Sequence, residues 1–376
     1  MPTKAIIQPS YQVVIISPIT GAIVALYDAQ FPFDLRYSRL LNDAGIITLT
    51  LPYTAAVRAA FTLDCFIEVY RTNPLTGQLA KEDTYLARLF NRMRQGDLEQ
   101  YIVTGVQLND LIKRRVVNPA DDPAAQGGYS VYAGAADTVM RNYAYYNLGP
   151  GASLLRQFPN LTIPTVNGTG NPVGYNLRYD NLYTAVFADA TARGGIDFNI
   201  QRTTGANLEL DIGVIGTDRR QSTNYPNTPY VGFDPKRGNL QDPNLLIDRK
   251  KEMTVVYELG SGQGTAQQSL ILASSTVNDS PFNRIEFTDT AGNTAKGDTT
   301  TLLTAATASL KKNSGVSSFS YKLIEATPGN TYQQDWFLGD LVTVSYDEYV
   351  SNLRITGVEV FVSQAGQTVT PTAAAI

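Results

Sequence analysis

Histidine is absent from all 376 residues. Its absence removes the commonest general base, the commonest metal ligand and every catalytic triad built on imidazole. Cysteine occurs once, at Cys65, so no intramolecular disulfide can form. In the run Cys65-Phe66-Ile67-Glu68-Val69 that thiol reads as a small buried hydrophobe rather than a nucleophile. Cations are not in excess either: 30 Lys plus Arg stand against 34 Asp plus Glu, a net charge of −4, which disfavours affinity for a phosphate backbone. Val13 to Tyr27 is the run most like a leader or a membrane span. It breaks at Ser17-Pro18-Ile19-Thr20-Gly21 and follows Gln8, Ser10 and Gln12 rather than a basic segment. It is too short to cross a bilayer, so a soluble product without a cleaved leader is expected.

Tyrosine, at 22 residues, is abundant, and with many Thr, Val and Ile it favours strands and aromatic contact surfaces. The length allows two or three domains, each able to bury its own core. Phe319, Tyr321 and Leu323, then Val342, Val344 and Tyr346, then Val358, Val360 and Val362 repeat with period two. They predict three strands closing a small barrel or sandwich over Phe319 to Ser363. Between the first two runs Pro328-Gly329-Asn330 predicts a turn, and Asp335 to Asp340 a corner that buries Trp336. Thr356-Gly357-Val358 is echoed upstream by Thr104-Gly105-Val106, which suggests one strand design used twice.

From the N-terminus, Val13 to Ile16 and Ala22 to Tyr27 predict a hairpin, and Asn73-Pro74-Leu75-Thr76-Gly77 repeats its turn chemistry between Phe66 to Tyr70 and Tyr85 to Phe90. Ile46 to Leu51 and Tyr101 to Val106 add strands, and Thr54 can cap a short helix over Ala55 to Phe61. After Val106 the period becomes helical. Leu108, Leu111 and Ile112 share a face, as do Ala136, Val139, Met140 and Tyr143, while Asp180 can cap a helix bearing Leu182, Val186 and Ala190 that stops at Gly194-Gly195. Ile196 to Arg202 and Leu208 to Ile212 predict a hairpin. Asn147 to Asn176 and Gly216 to Asp242 lack periodicity and read as long surface loops. Strands return at Val255 to Tyr257, Leu270 to Ala273 and Arg284 to Phe287, expected to begin a second barrel, with a helix capped at Thr299 or Thr300 through Leu310. The segment after Ser363 reads as a flexible tail.

Each sign of chemistry has a plainer reading. Gly260-Ser261-Gly262-Gln263-Gly264 has the glycine spacing of a phosphate-binding loop, but Thr265 stands where a third small residue belongs and a strand follows; a hairpin turn is favoured. Adjacent acids Glu82-Asp83, Asp121-Asp122 and Asp347-Glu348 could serve a glycosidase, which needs no histidine, but such pairs ordinarily mark solvated loops. Gly128-Tyr129-Ser130-Val131-Tyr132 lacks the closing glycine of a nucleophile elbow. Lys113-Arg114-Arg115 and Arg249-Lys250-Lys251 read as solvated or interface charges. No catalytic, cofactor-binding or metal-binding residue is assigned.

The succession resembles the tail-hub, or baseplate-hub, proteins of long-tailed bacteriophages. The residues that carry it are Arg36 to Pro52 leading to Phe66-Ile67-Glu68-Val69, and Thr104-Gly105-Val106 followed by Leu111 to Arg115. Downstream it continues in Asn283 to Phe287 and in Leu338 to Val344 with Arg354 to Val358. The resemblance implies an α+β, mainly β chain of two similar small β-barrels, over residues 1–107 and 251–364. A helix-containing middle domain over 108–250 and a flexible tail over 365–376 complete it. It further implies a non-enzymatic homotrimer, a ring with pseudo-six-fold symmetry that joins the tail tube to the tail tip and passes DNA during ejection. The expected partners are further copies of the chain, the tail tube or distal tail protein ring, the tape-measure protein and tail-tip spike or fibre proteins. Phage DNA would be met only in transit, and no stable membrane insertion is expected. The expected location is the virion, at the tail tip, after synthesis in the host cytoplasm. The net charge suggests an electronegative lumen. The alternative is a tail-tip carbohydrate-binding module or polysaccharide-degrading enzyme with exposed tyrosines and a carboxylate pair.

Overall fold

The computed structural model describes residues 10–28, 30–73, 76–220, 231–291, 297–323, 330–347, 349–363 and 366–375. The first stretch carries β1 (Tyr11–Ile16), β2 (Ile23–Tyr27), β3 (Asp34–Leu40), β4 (Ile46–Pro52), α1 (Ala55–Ala60), β5 (Phe66–Thr72), β6 (Leu79–Gln95) and β7 (Leu98–Gln107). The β1–β2 hairpin closes through Gly21 at φ 69°, and Thr54 caps α1 by accepting from Val57 N–H at 3.0 Å, both as the sequence indicated. Of the second turn, Pro74 and Leu75 lie outside the described residues.

The middle stretch carries α2 (Asp110–Lys113), β8 (Ser130–Ala135), α3 (Ala136–Asn147), β9 (Leu161–Thr162), β10 (Pro172–Leu177), a π-helical turn over Tyr183–Phe187 leading into α4 (Ala188–Gly194), β11 (Asp197–Arg202) and β12 (Leu208–Gly213). The anticipated helical faces, Leu111, Ile112, Val139, Met140, Tyr143, Leu182, Val186 and Ala190, are buried in one cluster with Phe187 and Phe198. Asp180 is not the cap expected. It accepts from Arg178 N–H, while Asn181 Oδ1 accepts from Tyr183 and Thr184 N–H, because Asn181 stands at the better offset for the first turn. The segment 147–176 is not wholly a loop, since β10 pairs antiparallel with β8 along six residues.

The last stretch carries β13 (Gly232–Phe233), β14 (Leu240–Asp248), β15 (Val255–Leu259), β16 (Ser269–Ala273), β17 (Glu286–Thr290), α5 (Thr299–Lys312), β18 (Val316–Leu323), β19 (Leu341–Tyr346), β20 (Tyr349–Ser363) and β21 (Gly366–Ala375). Three expectations are corrected here. First, β15, β16 and β17 do not begin a barrel; they form their own three-stranded sheet, because α5 already covers that sheet's apolar face, with Ala306 and Leu310 against Val256, Leu272 and Phe287. The cap of α5 is Asp298, one or two residues before the expected Thr299 or Thr300, accepting from Thr301 N–H at 3.0 Å. Second, the stretch expected as a flexible tail carries a strand: β21 pairs with β20 from Ser363↔Gly366 to Leu353↔Ala375 and with β18. Third, neither half closes into a barrel among the described residues. Strands of both halves join one sheet in the order β14-β18-β21-β20-β3-β4-β7-β6-β5-β1-β2, because β20 pairs with β3 from Gly357↔Leu40 to Val362↔Leu35. A shared core follows, in which Tyr37, Leu49 and Val103 lie with Phe233, Trp336, Val344 and Val360. The chain is thus mainly β. The turn Pro328-Gly329 lies outside the described residues, but Trp336 is wholly buried, as expected.

A repeat is present in the pairing rather than in the residues. The first half connects as β5-β6-β7-β4-β3 and the last as β19-β20-β21-β18-β14, antiparallel throughout; the next strands out differ, since β1 is antiparallel to β5 and β13 parallel to β19. In each, a long strand pairs with the next: Gln95↔Leu98 is the end pair of β6–β7 and Ser363↔Gly366 that of β20–β21. Each hairpin has a bulge seven residues before that pair, at Arg88 and at Thr356. Bulges fix register and twist locally, so a shared offset is a strong structural correspondence. It places Arg88 with Thr356 and Thr104 with Thr372. The Thr-Gly-Val echo therefore joins strands that do not correspond.

Candidate assembly surface

The residues singled out for chemistry are held in structural roles. Glu82 and Asp83 are not on a solvated loop; they lie inside β6, where Tyr37 Oη donates to Glu82 Oε2 at 2.5 Å and Arg39 Nε donates to Asp83 at 3.0 Å. Tyr332 Oη accepts from Arg39 at 2.8 Å, and Arg71 donates to the Tyr332 carbonyl at 3.0 Å and to Tyr11 Oη at 2.9 Å. Burial lifts the Asp83 carboxyl above its ordinary range although Arg39 opposes the shift, and burial with Glu82 nearby pushes the Tyr37 hydroxyl well up. This cluster ties the two halves together. Asp121 and Asp122 are likewise engaged, by Arg156 at 2.6 Å and by the Tyr132 hydroxyl at 2.5 Å. Asp347 occupies a φ of 50° between β19 and β20, and Glu348 lies outside the described residues. The Gly260 to Thr265 segment links the antiparallel strands β15 and β16, in agreement with a hairpin turn. Ser130 is buried at the start of β8.

Most cations of the two basic clusters are engaged within the chain. Lys113 meets Asp43 and Arg114 meets Asp110 at 2.7 Å, Arg115 stacks over Phe158, and Arg249 meets Glu252 at 2.6 Å. Cys65 is buried, and that burial pushes its thiol up to about 11, the inert state anticipated.

Two further ion pairs fix the middle stretch to the large sheet. Glu68 on β5 receives Arg202 of β11 through two bonds of 2.7 Å, with Tyr70 and Thr84 donating as well. Burial works against ionisation of Glu68, but Arg202 and Tyr70 hold its carboxyl below the usual range. Asp197 of β11 receives Arg354 of β20 at 2.5 Å, and Asn42 donates to the same carboxylate. Nearby, Gly216 and Gly339 have φ of 93° and 92°, and a Cβ on Gly216 would lie 2.1 Å from the Gly339 carbonyl carbon. Only glycine allows those backbones to cross so closely. A cleft of about 410 Å³ lies beside this crossing, lined by Arg39, Asn42, Phe198, Arg219 and Asp340. Its cations are engaged within the chain, Arg219 with Asp340 at 2.7 Å and Arg39 with Asp83.

What remains accessible is a surface suited to assembly. The eight strands β14-β18-β21-β20-β3-β4-β7-β6 form a continuous arc with one face on the core. The other face presents Thr48, Thr50 and Thr104 opposite the buried Ile47, Leu49 and Val103, and Thr368 and Thr370 beside the buried Val369. Asp34, Arg36, Arg354 and Glu359 are charges on this face of β3 and β20; Arg36 and Glu359 pair at 2.5 Å, and Arg354 is bonded to Asp197. Both ends of the arc expose aliphatic side chains: Leu89 and Met93 on β6, Leu246 and Ile247 on β14.

The model of the Siphovirus ReqiPepy6 Gp37-like protein family matches residues 33–373. The chain belongs to that family. The match begins just before β3 and reaches into β21, so it covers most of the large sheet but leaves out β1 and β2. Among solved structures the fold is shared with the 43 kDa tail protein of prophage MuSo2 from Shewanella oneidensis (10% identity, TM-score 0.61, 97% of this chain and 98% of that one). It is shared also with the tail protein from Neisseria meningitidis MC58 (11%, 0.59, 98% and 96%). Prophage tail protein gp18 from Listeria monocytogenes EGD-e is similar as well (11%, 0.54, 96% and 94%). No curated protein sequence matches significantly. A phage-tail resemblance is thus legible in the residues. The inter-half ion networks are not, because their members are separated by tens to hundreds of positions and each looks ordinary alone.

Proposed function

We propose that this family member is a structural tail hub: three copies close a ring between the tail tube, or a distal tail ring, and the tail tip, within the virion. The observation that carries the reading is the repeated strand order with its matched bulged hairpins, which gives one chain two similar units side by side on one arc. Three such chains offer six similar surfaces by closed symmetry, which suits a six-fold tube on one side and a three-fold tip on the other.

Eight arc strands per chain give 24 in the ring. At about 4.8 Å per strand the circumference is about 115 Å and the diameter about 37 Å before strand tilt widens it. The threonine-rich face would line this opening. Its cations Arg36 and Arg354 are already bonded to Glu359 and Asp197, so transiting DNA would find little to hold it, through lack of free cations more than through repulsion. Contacts with a tape-measure protein and with spike or fibre proteins would use surfaces outside the arc.

The proposed role involves no reaction. Light scattering of the purified chain should give a mass three times 41.0 kDa, and that material should release no reducing ends from host polysaccharide. A monomer, or sugar release abolished by Asp83→Asn, contradicts the reading.

A further inference from the structure

The geometry points to the seam by which one copy of the chain joins the next, and it follows from the junction already present within a chain. There β20 pairs with β3 over Gly357↔Leu40, Glu359↔Ser38 and Phe361↔Arg36. The matched bulges and ladder end pairs place β6 in correspondence with β20, so that residues 89–94 answer to 357–362. The ladders carry the correspondence across each half. Thr104 pairs with Thr48 and Thr48 with Arg36, while Thr372 pairs with Ser320 and Ser320 with Asn244. Arg36 thus answers to Asn244, Ser38 to Leu246 and Leu40 to Asp248.

The two segments that correspond to the internal junction lack a partner strand among the described residues. β5 accompanies β6 as far as Phe66↔Leu86, Cys65 and Asp64 exchange backbone bonds with Ala87, and from Leu89 onward β6 pairs with β7 alone. β14 pairs with β18 alone. These same segments expose Leu89 at 52%, Met93 at 39%, Leu246 at 50% and Ile247 at 60%. A bare, aliphatic strand edge invites strand addition. We propose that residues 89–94 of one copy pair antiparallel with residues 244–248 of the next, in the register Leu89↔Asp248, Asn91↔Leu246 and Met93↔Asn244. The occupant is a second copy because the complementary edge, at the required register, is found on this chain's own opposite end. Repetition of one head-to-tail seam closes a ring rather than a two-fold dimer. The inference rests on the ring reading above and adds which strands make it.

The test is a full-length chain carrying Asn91→Cys and Leu246→Cys. Directly opposed residues of an antiparallel pair are within disulfide range, and Cys65 is buried. On mild oxidation the double variant should run as a covalent trimer under denaturing conditions, with neither single variant cross-linking. In parallel, Ile247→Arg, placed near Arg92 across the seam, should shift the light-scattering mass to the monomer while leaving the far-ultraviolet circular dichroism unchanged. A trimer by light scattering that does not cross-link at 91 and 246 overturns this seam and leaves the ring standing. Cross-linked dimers of either single variant overturn it in favour of like-to-like contact. A monomeric unsubstituted chain overturns the ring itself.

Discussion

At the scale of single residues, partners distant in sequence decide roles that composition leaves open. Adjacent acids such as Glu82-Asp83 look like a solvated loop until Tyr37 and Arg39 of β3 and the distant Tyr332 gather around them. Tyrosine abundance suggests contact surface, yet Tyr37, Tyr85, Tyr143 and Tyr332 are all fully buried, their hydroxyls placed where buried charge and carbonyls need partners. Trp336 is readable, because a glycine-flanked aromatic before a strand has few places to go. Its indole donates to the Asn330 carbonyl at 3.3 Å and packs on Tyr332 at 4.8 Å between ring centres. Trp336→Ala should cost roughly 3–5 kcal/mol, seen as a lowered denaturation midpoint; an unchanged midpoint contradicts this packing.

Glu68 gives a pH test. Its folded-state carboxyl titrates below the ordinary glutamate value, with Arg202 and Tyr70 overcoming burial. Its contribution to stability is therefore complete above that ordinary value and is lost as pH falls through the lower folded one. Glu68→Gln, which leaves Arg202 buried without its countercharge, should lower stability by roughly 3–5 kcal/mol at neutral pH. The gap to the unsubstituted protein should narrow on acidification. A gap that stays constant with pH excludes an ionised Glu68.

At the scale of elements, strands and helices with a clear period are legible, and their partners are not. The helix α5 follows from Leu302, Ala306 and Leu310, but nothing in β15 or β16 says that α5 rather than another sheet covers them. The C-terminal strand escapes sequence reading because Gln367 to Ala375 has few large apolar residues; β21 is held by ladders on both sides instead, with Val369 and Ala373 reaching the core. Removing residues 366–376 should therefore uncover the edges of β18 and β20 and lower the melting temperature substantially, with aggregation. A truncated chain that melts like the intact one would show that β21 adds nothing to the sheet.

At the scale of the molecule, Thr-Gly-Val points to a repeated design, and a repeat is found, but in strand order and bulge position rather than in that motif. Sequence drifts while pairing geometry holds, so the residues alone lead to the wrong correspondence. Separate barrels are the natural expectation because each half has its own strand alternation; the β20–β3 ladder, which no local pattern announces, fuses them into one sheet. The middle stretch, with its own core and its ties through Glu68–Arg202 and Asp197–Arg354, sits against that sheet as a fixed attachment.

The central claim is that two similar units per chain build a ring from three chains, and electron microscopy of the purified full-length protein tests it most directly. Three-fold class averages with six similar lobes around a central opening are expected, the middle stretches projecting as three larger features. Particles without three-fold symmetry, or three-fold particles with no opening through the arc, would contradict it.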